Sequence, residues 1–349
     1  MAGSRVGWVD YAKGICIIMV VMMHSTIDYG HMVDSEGWLH GFVAWAKPLR
    51  MPDFFLIAGL FLHRSIFGAR TSYIDRKLVH FAYFYALWLG IQTVLFELDT
   101  LAVNPMEVAR IYAAAWIEPK SSLWFIHELA VFYMVTRLLR RLHAGKVFAV
   151  AAALQVLQSA GLMETGWSVT NRFAQYYVFF YAGYAFSPVI FKFADAVAER
   201  GKDMLRVAAL WFAVHTSFVL VGAAALPVVS LILGLAGALA IVAAGVVLSR
   251  LPYTGLLRHT GRNSIVVYLG FFIPMKLMQK GLAATHLIPD VGTATLVITV
   301  ASVGLALLAH QLVRNTPLNA LYVRPQMFRL KGAKSAQRGT LLPGSVPNA

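Results

Sequence analysis

Apolar residues run through this chain in stretches of about twenty, separated by short polar clusters, from Ile15 to Val313. A spanning helix needs about 20 mostly apolar residues to cross the hydrocarbon layer. Windows of that kind fall at 12–29, 50–67, 79–97, 122–139, 146–162, 172–192, 204–222, 226–248, 263–281 and 291–312. The pattern predicts an all-α integral membrane protein, a bundle of about ten transmembrane helices. It divides the chain into one polytopic membrane domain, 1–313, and a basic tail, 314–349. Lys331, Lys334 and Arg338 among Gly, Ser and Pro give the tail the composition of a disordered or lipid-facing segment.

The charges test this count, because basic residues near span ends accumulate on the cytoplasmic side. Sorted between alternate sides of the ten windows, 23 of the 30 Lys and Arg fall on one side and seven on the other. An even number of spans with that bias puts both termini in the cytoplasm. The stretches 30–49 and 98–121 then become outward loops, with Asp34, Glu36, Asp99, Glu107 and Glu118 available to an acceptor. No internal repeat of the kind found in many secondary transporters is visible.

Composition narrows the class. Of the 349 residues 59% are hydrophobic and only 13% charged, about half the charged share of a soluble chain. The net charge of +14 lies between apolar spans without the aromatic interleaving of a nucleic-acid surface, so nucleic acid is excluded as a partner. The single Cys16, inside the first apolar run, excludes a disulfide framework and reads as a small core residue. The first run continues into His24, Ser25 and Asp28 without a small-residue cleavage pattern, which makes it a membrane helix rather than a signal peptide.

Ionisable groups in hydrocarbon cost at least a few kcal/mol, so each one inside a span is a candidate for function. Lys13 and His24 are eleven residues apart, which on a helix is three turns plus about 20° and about 16 Å of rise. One face of the first helix therefore presents a cation near the cytoplasm and an imidazole deeper in. The alternative reading makes Lys13 an interface anchor paired with Asp10, one turn before it, and His24 a hydrogen-bonded packing residue. Arg76, Lys77 and His80 form a basic cluster suited to phosphates, with positive-inside anchoring as the alternative. Trp124, His127 and Glu128 follow in the fourth window, where burying both ionisable groups calls for a wet cavity. Arg172 opens a run of aromatics that reads first as an interface belt and second as a sugar-stacking wall. HExxH, P-loop and GxSxG motifs are absent, and the histidines lack metal-ligand spacing.

Several segments, in order, resemble the membrane-bound acyltransferase family 3, which includes sugar O-acetyltransferases and periplasmic-glucan succinyltransferases. Trp8-Val-Asp-Tyr-Ala-Lys13 through His24 is similar to the family's opening helix, a basic residue, ten residues of any kind and a His, with Lys13 where Arg is frequent. Met51-Pro-Asp-Phe-Phe-Leu-Ile-Ala-Gly59, the pair Arg76-Lys77, Leu123-Trp124-Phe125 and Gly261-Arg262-Asn263-Ser264 with Val267-Tyr268-Leu269 are similar to its later segments. Ala58 stands where Ser is common, and Phe271 and Phe272 stand where many members carry a further His.

The resemblance implies a multi-pass enzyme of a bacterial-type inner membrane, transferring an acyl group, usually acetyl, from cytoplasmic acyl-CoA to a hydroxyl of a glycan or other small acceptor. CoA enters as donor substrate, with no permanently bound cofactor or metal. Under that reading His24, with Lys13 and Asp10, performs the catalysis, as general base or as transient acyl carrier. Arg76, Lys77 and Lys13 hold the anionic CoA, and His127, Trp124 and Arg172 meet the acceptor. The rival reading is a transporter or flippase in which the same groups line a path for an anionic solute or a lipid-linked sugar, without acyl-CoA.

Overall fold

A computed structural model describes residues 6–119 and 121–330. Arg5, Lys120 and the tail from Lys331 onward, where disorder or lipid contact is expected, lie outside the described residues. The chain is helical, with no strand among those residues. In chain order the helices are α1 (Gly7–Val33), α2 (Trp38–Gly59), α3 (Arg70–Phe96), α4 (Trp124–Leu139), α5 (Ala144–Ser159), α6 (Ser168–Ala185), α7 (Ser187–Leu220), α8 (Pro227–Leu248), α9 (Gly255–Arg262), α10 (Ser264–Gly270), α11 (Phe272–Thr285) and α12 (Val291–Val313).

Five helical stretches are long and apolar enough to cross a membrane, namely α1, α3, Asp203–Leu220 within α7, α8 and α12. Two bent pairs raise the number to seven if each is one span, α6 with the start of α7 at 73° and α10 with α11 at 49°. The other windows lie on helices that fall short of that standard. With 16 residues each, α4 and α5 reach only about 24 Å at 1.5 Å per residue. The charges of Lys47, Arg50 and Asp53 lie within α2.

The second window is displaced. Its helix begins at Trp38 and ends at Gly59, so the outward loop expected at 30–49 shrinks to the link 34–37. Asp34 closes α1 in the left-handed region, at φ 49°, and Ser35 N–H donates to Gly30 O at 3.0 Å. Buried Leu39, Val43, Ala46, Leu49 and Leu56 recur at helical spacing through α2, a period that averaged hydropathy hides behind Lys47 and Arg50. The loop expected at 98–121 carries two short helices, Leu98–Val103 and Pro105–Ala114, the second capped by Asn104, whose side chain accepts from Glu107 N–H at 3.2 Å.

The chain forms two compact units. The first comprises residues up to Phe61 and Leu142–Arg314, and the second Leu62–Arg141 with the segment from Asn315. Glycines set the helix spacing of the first unit. A Cβ on Gly59 of α2 would overlap the Phe180 carbonyl of α6, and one on Gly183 of α6 the Leu56 carbonyl of α2. A Cβ on Gly261 of α9 would overlap the Asp10 carbonyl of α1. Small residues allow such close backbone approach in membrane bundles. Two glycines of the family-like segments, Gly59 and Gly261, thus hold helices together. Gly261→Ala is expected to lower stability by about 1–3 kcal/mol or more through overpacking against backbone, read as a fall in the thermal midpoint of the purified protein. An unchanged midpoint would contradict this role. The free Cys16 is buried in this core, as its position in the sequence predicts.

In the second unit α3 packs on α4. Tyr73 O–H donates to Tyr133 O at 2.7 Å, and Phe81 stacks on Tyr133 at 5.7 Å between ring centres. The described residues after α12 dock on α3. Two 3₁₀ turns form, Pro317–Leu321 and Gln326–Phe328. Tyr83 O–H donates to Ala320 O at 2.9 Å and Trp88 Nε1–H to Leu321 O at 2.8 Å, while Phe328 packs on Tyr83. Buried Asp75 and Arg324 close the strap with an ion pair of 2.6 Å. The aromatic and hydroxyl anchors on α3 supply the partners that a tail read by composition alone lacks.

Candidate functional site

The first unit assembles its polar groups around α1. This helix is continuous, so Lys13 and His24 share a face as their spacing predicts, and both are half-buried. The imidazole of His24 rests against Phe271 and Phe272, with ring centres 5.7 and 6.4 Å away. The positions where many family members carry a further His are thus an aromatic wall against His24. Next to it, Lys276 of α11 donates to Asp28 at 2.7 Å, and its ammonium lies 5.4 Å from the Phe272 ring. Gln279 donates to the backbone carbonyl of Ser25 at 3.3 Å, fixing α11 against α1 in the turn that holds His24.

The charges of Asp28, Arg50 and Lys276 all act on His24. Arg50 is 8% exposed, and its Nε and Nη1 have no hydrogen-bond partner among the described residues. Arg50 and Arg172 both act electrostatically on Tyr176, which stacks on Phe55 at 5.4 Å. The first unit therefore brings together His24, Asp28, Lys276 and Arg50, with Tyr176 linked through Arg50 and Arg172 through Tyr176. Sequence reasoning singles out His24 and Arg172, includes Tyr176 in the aromatic run that Arg172 opens, and gives no site role to Asp28, Lys276 or Arg50. Asp28 and Lys276 carry a usable signal, since opposite charges inside two apolar spans call for partners. Arg50 carries none, because hydropathy assigns the stretch leading up to it to a loop.

Asp10 has a long-range partner that its place in the sequence does not reveal. Its carboxylate accepts from Arg262 Nε at 3.1 Å, with Asp10 buried and Arg262 partly exposed. The Gly261-Arg262 dipeptide thus fastens α9 to α1, Gly261 by close approach and Arg262 by the ion pair. This gives Asp10 a structural role at the foot of the helix that carries His24.

The second unit holds the other candidates. Its basic cluster lies at a π-helical turn, Asp75–Val79, in which the His80 N–H bonds the Asp75 carbonyl. That wide turn sets Asp75, Arg76 and His80 on one cavity of about 430 Å³, completed by Tyr322, Val323, Arg324 and Arg329. Lys77 is not among the lining residues, and its ammonium lies 4.3 Å above the Tyr133 ring as a cation–π pair. Of the pair expected to hold CoA, the structure brings only Arg76 to the cavity. His127 has its Nε2 3.2 Å from the Trp116 carbonyl and its ring 5.3 Å from that of Tyr85. Glu128 is fully buried, and Trp124 is half-buried with its ring edge-on to Phe125.

The chain is 26% identical over 183 residues to the inner membrane protein YcfT of Escherichia coli strain K12, a match that covers 46% of this chain and 50% of the relative. The chain therefore spans about half the length of the curated relative it matches. No solved structure matches it significantly. The family model described as "Acyltransferase domain", Acyl_transf_3, matches residues 6–311, nearly the whole helical region. The protein belongs to that acyltransferase family.

Proposed function

We propose that this protein is a multi-pass inner-membrane acyltransferase that moves an acyl group, acetyl first among the candidates, from cytoplasmic acyl-CoA to a hydroxyl of a glycan or other extracytoplasmic acceptor. The observation that carries the reading is His24, half-buried on α1 against an aromatic wall with Asp28, Lys276 and Arg50 acting on it, in a chain of an acyltransferase family. Ten spans with both termini in the cytoplasm are the topology that the lopsided split of Lys and Arg supports.

In this account the neutral imidazole takes the proton of the acceptor hydroxyl, and the oxygen attacks the thioester carbonyl. The carbon–oxygen bond forms, the carbon–sulfur bond breaks, and the CoA sulfur leaves as thiolate, to be protonated in turn. A two-step version has His24 attack first, forming an acyl-imidazole and releasing CoA as the thiol with the proton the ring gives up, before the acceptor oxygen displaces the imidazole, which takes the hydroxyl's proton as it leaves. Arg50 stabilises the oxyanion in either version, since two of its buried nitrogens await a partner. Arg172 and Tyr176 meet the acceptor, and Lys13 with Asp10 keeps the cytoplasmic end of α1 in place.

The test is transfer of radiolabelled acetyl from acetyl-CoA to a panel of glycans by purified protein, followed by the same panel with succinyl-CoA. Acceptor-dependent labelling is the expected result. Labelling of no acceptor with either donor would contradict the proposal.

A further inference from the structure

The cavity of the second unit is bounded on one side by α3 and on the other by residues that follow the last apolar helix. Among the described residues that line it, three guanidinium groups, Arg76, Arg324 and Arg329, stand against one carboxylate, Asp75, so that lining carries an excess of positive charge. Asp75 does not neutralise it, because its two oxygens are engaged in structure. One accepts from Arg324 Nη2 at 2.6 Å and the other from the Leu330 N–H at 2.8 Å. Arg324 is 6% exposed, and its Nη1 has no hydrogen-bond partner among the described residues. A buried guanidinium N–H left without a partner is costly unless an acceptor arrives. Tyr322, backed by Trp88 at 5.6 Å between ring centres, adds an aromatic wall, and His80 adds a ring nitrogen. A volume of about 430 Å³ lies within the range of roughly 300–1,000 Å³ typical of small-molecule sites.

We infer that this cavity binds the phosphate-bearing nucleotide end of the acyl donor, with Arg324 and Arg329 of the C-terminal strap gripping its phosphates opposite Arg76 on α3. The inference rests on the reading of the donor as a CoA thioester. It gives the strap a part in binding. Asp75 holds one arm of Arg324, which aims the other at the ligand, and guanidinium forks are the side chains best shaped for phosphate. The same chemistry would also suit a lipid phosphate, and the excess charge alone does not separate the two. The nucleotide is favoured by the aromatic wall, which a purine ring can stack against.

The experiment measures CoA binding by the purified full chain in zwitterionic nanodiscs, at fixed salt, with adenosine 3′,5′-bisphosphate as competitor. Arg324→Lys retains a cation for Asp75 but loses the second arm, and Arg329→Gln leaves the ion pair untouched. Each is expected to raise the CoA Kd by about 10–100-fold, the worth of one charge-assisted hydrogen bond. The thermal midpoint of Arg329→Gln should stay at the wild-type value, and adenosine 3′,5′-bisphosphate should displace CoA from the wild type. If the wild type binds CoA and both variants bind it equally well, the strap inference is overturned while the donor reading stands. If the wild type binds no CoA, the donor reading fails and the inference with it. If the substitutions spare CoA and instead weaken association with vesicles rich in anionic lipid, the cavity holds a headgroup, which also overturns it.

Discussion

His24→Ala is expected to reduce acyl transfer by about 10²–10⁴-fold, the usual contribution of a positioned acid–base group, while the protein still folds. The folding half of this prediction follows from the surroundings of the side chain. His24 is half-buried, and its ring meets two phenylalanines rather than a network that would collapse without it. Its removal leaves the Asp28–Lys276 pair and the Gln279 bond to the α1 backbone in place. The activity half distinguishes the mechanism from a path-lining role, in which loss of one imidazole would lower a rate modestly. Single-turnover assays with labelled acyl-CoA separate the two chemical routes. An acyl-imidazole predicts label on the wild-type protein when acceptor is withheld and none on His24→Ala, whereas direct transfer predicts no labelled protein at all.

Arg50→Gln is the second large effect, a fall in turnover of about 10²–10³-fold, the range seen when one oxyanion donor is removed. Arg50 is chosen over Arg172 because it is the more deeply buried cation and acts on both His24 and Tyr176. The loss should appear in kcat with little change in KM, since an oxyanion exists only in the transition state. Arg50→Lys retains the charge and should recover part of the rate. Should turnover be unchanged in a folded Arg50→Gln protein, the oxyanion role passes to another residue. A loss confined to KM would make Arg50 a ground-state anchor.

How much of this is legible in the sequence depends on whether the relevant signal is local. The first helix is readable because Lys13 and His24 sit on one uninterrupted α-helix, where spacing converts directly to geometry. Gly59 and Gly261 are visible as pieces of family-like segments, but their work, close contact with the backbones of α6 and α1, depends on which helices pack together. Which charges pair over long separations is hidden for the same reason, even where, as for Asp28 and Lys276, each charge stands out within its span. Asp10 with Arg262, Asp28 with Lys276 and Asp75 with Arg324 each join residues roughly 250 positions apart. The strap escapes a reading by composition because composition describes an isolated segment, whereas Tyr83, Trp88 and Asp75 on α3 give it partners. Lys77 shows the limit of adjacency: next to Arg76 in sequence, it turns to Tyr133 while Arg76 lines the cavity.

The measurement that bears most directly on the acyltransferase account is release of free thiol from acetyl-CoA, then from succinyl-CoA, by wild-type protein in liposomes, with and without glycan acceptors. The account predicts thiol release that rises with acceptor and is lost in His24→Ala. Solute movement across the liposome with no thiol released from either donor would contradict it and make the protein a transporter.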